Sequence, residues 1–246
     1  MDIVIVGALA VFFGGILQGC LGFGFGLITV PPLLMVLTAA EVIPMQISLS
    51  LLLCLPLAWQ ARHHFEIALV VPLVGGAFLG IPIGMYVLHM VDGSYLKLAV
   101  GLILVVMTAV MLSGWSRPVK KQTAALLPIG FLSGIMQTAI SMSGPPIILF
   151  LTNQAMEKER FRANMLIYFA FVSSASTIGF VIQGAYTRPI LERMLMFTAS
   201  LLIGGYIGSK IASRIPQEGF RTMTLIIAGI MGIILSVRNA AIVFGY

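Results

Sequence analysis

Ten apolar stretches, separated by short turns that carry nearly all of the charge, follow one another along this 246-residue chain. They run approximately 3–18, 27–38, 42–59, 66–90 and 94–113, then 123–137, 145–152, 162–184, 189–213 and 219–236. About 20 helical residues cross the hydrocarbon of a bilayer. The stretches at 42–59, 66–90, 94–113, 162–184, 189–213 and 219–236 reach or approach that length. Charged residues make up 9% of the chain, against about 25% in a soluble domain. That leaves too little polar surface to cover a water-soluble globule, so the solvent this chain expects is lipid. The expected fold class is therefore an all-α integral membrane protein.

Two stretches, 27–38 and 145–152, are too short to cross alone, and each adjoins a Gly- or Ser-rich interruption. That pattern predicts a broken or re-entrant helix pair in each half, with three longer transmembrane helices after it and 8–10 membrane segments in all. Cytoplasmic loops hold the excess of Lys and Arg. One side would carry Arg62, Arg117, Lys120, Lys121, Lys158, Arg160, Arg162, Lys210, Arg214 and Arg221, the other only Lys97, Arg188, Arg193 and Arg238. The first side is then cytoplasmic and both termini are external, whether the interrupted pairs cross twice or enter and return. The net charge of +6 speaks of this topology. Nucleic-acid binding would need a basic patch on a soluble face, and no such face exists.

An internal repeat underlies the pattern. "GILQGCLGFGFGLI" from Gly15 aligns with "GIMQTAISMSGPPI" from Gly134 at an offset of 119. Ile16 meets Ile135, Gln18 meets Gln137, Leu21 meets Ile140, and glycines of the first copy meet Ser141 and Ser143. Further on, Gly76-x-x-x-Gly80-x-x-x-Gly84 is answered by Gly204-x-x-x-Gly208-x-x-x-Ala212, an offset of 128. The chain divides into a first repeat at 1–116, a cytoplasmic linker at 117–122 and a second repeat at 123–246. If each half crosses an odd number of times, the repeats are inverted, and the site lies near the midplane where broken helices meet.

The breaks, read as 19–30 and 138–146, suit anion chemistry. Glycine admits unusual dihedrals, and Pro31-Pro32 and Pro145-Pro146 fit the first turn of a new helix, where no N–H is needed. A helix N-terminus presents free N–H groups and about half a positive charge, so two facing termini hold an oxyanion without a buried Lys. Gln18, Gln137, Thr138, Ser141 and Ser143 lie beside the breaks. On the following helices Gln46, Ser48 and Ser50 answer Asn164 and Ser173, Ser174, Ser176 and Thr177. Such residues also glue membrane helices together. That reading suits Ser173 to Thr177 better, while the repeated Gln18 and Gln137 suit a site. The Gly stripes read as close-packing helix faces.

All eight acids, Asp2, Glu41, Glu66, Asp92, Glu157, Glu159, Glu192 and Glu218, fall at or near segment ends, so no mid-membrane carboxylate offers a proton relay. Anion efflux from an inside-negative cell needs none, because each exported charge gains ~2.3 kcal/mol per 100 mV. An enzyme finds no support: no membrane-embedded Ser–His–Asp set, HExxH or GxxxxGK[ST] appears. The glycine run lacks the βαβ unit of a dinucleotide site. Leu17-Gln18-Gly19-Cys20 resembles a lipoprotein cleavage box, but only Asp2 precedes the apolar stretch, where a secretory signal is positive. Cys20 and Cys54 form no CxxC pair and read as small buried residues. His63 and His64 are adjacent and His89 is alone, so no metal site is expected; nor is a cofactor.

"GGILQGCLGFGFGLITVPPLL", "GFLSGIMQTAISMSGPPIILFLTNQ" and the following "KERFRANM" resemble the TauE/SafE family of sulfite exporters and sulfonate permeases. The resemblance implies a carrier in the bacterial or archaeal cytoplasmic membrane that exports, or sometimes imports, sulfite or sulfonates such as sulfoacetate, and a homodimer. Carried onto this chain, the motif positions are Gln18, Gly22, Gly24, Gly26 and Pro31, then Gln137, Ser141, Ser143, Gly144 and Pro145. The second copy departs from the family's glycine cluster in reading Ser141-Met142-Ser143-Gly144, which leaves the substrate within the family open. Arg162 and Asn164 would stand at the inner mouth, where Arg162 either gathers anions or only satisfies the positive-inside bias. An anion channel, a carrier for a non-sulfur carboxylate and a membrane scaffold are the alternatives.

Overall fold

The computed structural model describes residues 3–113, 122–152, 156–212, 226 and 229–240, and every element in them is a helix. In order these are α1 (Ile3–Leu21), α2 (Phe25–Leu34), α3 (Ala39–Ala61), α4 (Ile67–Met90) and α5 (Gly93–Leu112). Then come α6 (Gln122–Ile140), α7 (Gly144–Thr152), α8 (Lys158–Ile182) and α9 (Arg188–Ile211). A last helical stretch covers Gly229–Ala240. Six of the helices are long and apolar enough to cross a membrane, and the protein is an all-α membrane protein. Residues 117–121 of the expected linker and half of the stretch expected at 219–236 lie outside the described residues; Gln122 already opens α6.

Both breaks are narrower than the sequence suggests. α1 runs through Leu21 and α6 through Ile140, so only Gly22-Phe23-Gly24 and Ser141-Met142-Ser143 interrupt the helices there. Gly22 and Gly24 turn with φ of 81° and 95°, a region open to glycine and costly for other residues. Ser141 adopts φ 56° at the position equivalent to Gly22. The prolines divide differently from expectation. Pro145 and Pro146 stand in the first turn of α7, but Pro31 and Pro32 lie inside α2, which starts at Phe25. The glycine turn has already restarted the helix. The two prolines remove N–H groups that would bond the carbonyls of Leu27 and Ile28, and α2 ends at Leu34.

Packing follows the small residues. α4 lies along α6, α1 along α9 and α3 along α8. A Cβ at Gly76, Gly80 or Gly84 would strike the carbonyls of Leu127, Phe131 and Ile135 in α6; one at Gly204 or Gly208 would strike those of Phe12 and Ile16 in α1. The stripes are thus contact faces, as their spacing predicts, but with a shifted correspondence. Phe12 and Ile16 are equivalent to Phe131 and Ile135 at the offset of 119, so Gly204 answers Gly80 and Gly208 answers Gly84. A stripe that repeats every four residues matches itself when slid by four, which is why the sequence alone pairs it one turn out.

The central pair is antiparallel. Ser48, in the first half of α3, meets Thr177, near the end of α8, at 3.4 Å. Just beyond α3, the Glu66 N–H donates to Asn164 Oδ1, near the start of α8, at 2.7 Å. α5 and the last helix also run antiparallel, with Gly101 against Gly232 and Ser236, and Gly229 against Thr108. The outer faces of α4 and α9 expose Val71, Leu79, Leu195 and Tyr206. Such apolar exposure fits a lipid surround.

Candidate functional site

Between the two breaks lies a cavity of about 40 Å³, room for roughly three waters or one small ion. Its lining is built from pairs of residues 119 apart. Gln18 and Gln137, Phe23 and Met142, Gly24 and Ser143, Phe25 and Gly144, Gly26 and Pro145, and Ser50 and Phe169 all face it. Leu27, Ser141 and Ile148 complete the wall. Ser50 and Phe169 sit at the middle of α3 and α8, so the cavity is level with the centre of the helix bundle. Among the described residues, no charged side chain lines it.

Local structure explains the convergence. Phe25 opens α2 and Gly144 opens α7, and the first N–H groups of a helix have no intrahelical partner. A Cβ at Gly26 would overlap the carbonyl oxygen of Ser141, so the first turn of α2 touches the opposite break directly and only glycine permits it. The two helix starts therefore share one small space, with their positive ends toward it.

Each glutamine reaches from the helix before its break to the long helix after it. Gln18 Nε2 donates to Ser50 Oγ at 3.0 Å and Cys54 Sγ at 2.8 Å. Gln137 Nε2 donates to Ser173 Oγ at 3.1 Å. Cys54 and Ser173 are again 119 apart. The remaining contacts differ between halves. Gln137 Oε1 accepts from Ser143 Oγ, Ser133 Oγ donates to the Ser143 carbonyl at 2.6 Å, and Tyr168 Oη donates to Ser133 at 2.8 Å. The equivalent first-half residues are Gly24, Gly14 and Leu49, so Gln18 has no such chain behind it.

Not every expected residue reaches the cavity. Gly22 makes the turn behind it, packed on Arg162. Thr138 Oγ1 donates to the Ile81 carbonyl at 2.9 Å and ties α6 to α4. Asn164 holds the α3–α4 connection and donates to Met156 Sδ at 3.2 Å. Gln46 is fully buried in α3, one turn from Ser50, and neither amide atom bonds any of the described residues. Arg162 Nη2 donates to the Gly19 carbonyl at 2.8 Å. The same arginine lines a separate cleft of about 340 Å³ with Gln60, His64, Lys158 and Ser209 at the basic end. Sequence reasoning passed over Phe169, Cys54 and the Ser133–Tyr168 pair. Extending the 119 offset from Gln18 and Gln137 into α3 and α8 would have found the first two.

The fold and the cavity define a multi-pass membrane protein whose two broken-helix motifs meet around a neutral polar space. The family model described as sulfite exporter TauE/SafE matches residues 7–235, and the chain belongs to that transporter family. No curated protein and no solved structure matches the chain.

Proposed function

We propose that this protein is a secondary transporter that exports small sulfur-containing anions, such as sulfite or sulfonates, by alternating access around the cavity between the two breaks. One observation carries the reading: six pairs of residues 119 apart line a single small cavity at the level of the bundle's centre. Two duplicated helix starts aimed at one space give N–H donors and partial positive charge without a fixed cation. An anion is held there by neutral groups and can leave again. The antiparallel α3–α8 and α5–Gly229 pairings support two inverted repeats, and with them a site near the membrane midplane. The basic end is cytoplasmic and the termini are external, in the cytoplasmic membrane of a bacterium or archaeon. The potential drives the export.

Thermal-shift measurements on purified protein against sulfite, sulfoacetate, taurine, thiosulfate and carboxylate controls test the ligand. Stabilisation by sulfur anions is expected, and stabilisation by carboxylates alone would move the function elsewhere. In proteoliposomes, flux should follow an imposed potential. Flux that ignores the potential and follows a pH gradient contradicts the driving force.

A further inference from the structure

The two halves of the cavity are not chemically equal, and the inequality bears on which anions fit. Gln18 is 1% exposed, lines the cavity, and spends its amide N–H groups on Ser50 and Cys54. Its Oε1 is buried with no hydrogen-bond partner among the described residues. In the other half, the matching Oε1 of Gln137 receives the Ser143 hydroxyl. The residue equivalent to Ser143 is Gly24, which has no hydroxyl to give. Gly24 also cannot readily become serine, because it turns at φ 95° and a Cβ would press on Leu17.

We infer that the substrate supplies the missing donor: the site selects anions that carry their own O–H or N–H, such as a protonated oxyanion or a hydroxy- or amino-substituted sulfonate. This rests on the anion-site reading above. A buried carbonyl oxygen left without a donor is costly, and an anion that brings only lone pairs makes it worse, because two acceptors then face each other. A substrate proton between Gln18 Oε1 and the anion turns that repulsion into a hydrogen bond. The helix starts at Phe25 and Gly144 take the charged end, and Gln18 reads the donor. Sites built to bond a polar group reject analogues that lack it far more strongly than apolar pockets reject a missing methylene. Sulfite is therefore bound as hydrogen sulfite, a monoanion, in preference to the dianion.

Binding to detergent-purified protein tests this with two pairs of probes. Hydroxymethanesulfonate and methanesulfonate differ by one hydroxyl, and sulfite gains its proton as the pH is lowered through neutrality. The wild type should bind hydroxymethanesulfonate about tenfold more tightly than methanesulfonate, and its apparent sulfite affinity should rise on acidification. Gln18→Met keeps the length and removes the acceptor, so the preference between the two sulfonates should shrink to less than about twofold. Equal wild-type binding of the two sulfonates, or sulfite affinity that falls on acidification, overturns the inference and leaves the anion site standing. Failure of every anion to bind the wild type overturns the transport reading itself. The wild-type comparisons decide the matter even if Gln18→Met does not fold.

Discussion

Gly22 and Ser141 take the same left-handed turn, yet only one of them is the residue such a turn favours. The turn itself redirects the chain before α2 and α7, so its conformation is fixed by the fold and the residue has to comply. At Gly22 a side chain would meet both the wrong dihedral and Arg162. Gly22→Ala should cost about 1–2 kcal/mol from the dihedral, plus the clash, and lower the melting temperature in detergent. Ser141→Gly should raise it by removing the same strain, while anion-induced stabilisation weakens because a cavity-lining hydroxyl is gone. A Gly22→Ala protein as stable as the wild type would show that the turn is not fixed. The sequence makes the first turn legible and hides the second, because a serine forced to positive φ looks like any other serine. It also misleads at Pro31 and Pro32. Proline is a good opener of helices, but here the pair continues a short helix that the glycine turn has already opened, and the carbonyls of Leu27 and Ile28 go without their helical N–H partners. The buried Tyr168–Ser133–Ser143 chain was illegible for a different reason. Its first-half equivalents are Leu49, Gly14 and Gly24, so the repeat gives no hint of it.

At the scale of the elements, close approach of helices replaces the hydrophobic effect as the organising force. Lipid is as apolar as leucine, so packing and interhelical bonds decide which helices touch. α4 shows this within two turns. Gly75 is exposed, and a methyl group added to it would meet nothing within 4 Å, whereas Gly80 rests on the Phe131 carbonyl. Gly75→Ala should therefore be neutral or stabilising by up to about 1 kcal/mol, the helix-propensity gain. Gly80→Ala must push α4 from α6 against rigid backbone and should destabilise by about 1–3 kcal/mol. Thermal unfolding of the two variants in the same detergent checks the contrast, and equal stabilities would remove the argument for the stripe. The existence of these faces could be read from their spacing of four. Their register could not, because a periodic stripe carries no mark of where it begins, and only the carbonyls it meets on α1 and α6 supply one.

For the whole molecule, the antiparallel central helices place different ties at the two ends of the cavity. At the basic end Lys158 Nζ donates to the Ala212 carbonyl at 2.6 Å, Arg160 meets Glu66 at 3.4 Å, and Arg162 holds Gly19. At the opposite end Arg193 of α9 meets Glu41 of α3 at 2.7 Å, with both side chains partly buried. There Tyr186 also bonds Ser48 and stands 3.4 Å from the Pro44 carbonyl, and burial holds its hydroxyl above the ordinary tyrosine range. A carrier that opens to that end has to part α3 from α9 and from the α8–α9 connection. Glu41→Gln removes the ion pair but leaves an oxygen for the Thr38 N–H and hydroxyl, so the cap of α3 is kept. The loss of about 1 kcal/mol from the closed form should shift the open population about fivefold. The readout is labelling of Ser50→Cys, introduced with Cys20→Ala and Cys54→Ser, by a membrane-impermeant maleimide applied from that side. Labelling should quicken by about the same fivefold factor. Glu192→Gln, which makes the same charge change in the exposed Arg188–Glu192 pair within α9, should leave the rate unchanged. If Glu41→Gln labels no faster than its parent, the Arg193–Glu41 tie is not part of a gate, and the opening must run through other contacts.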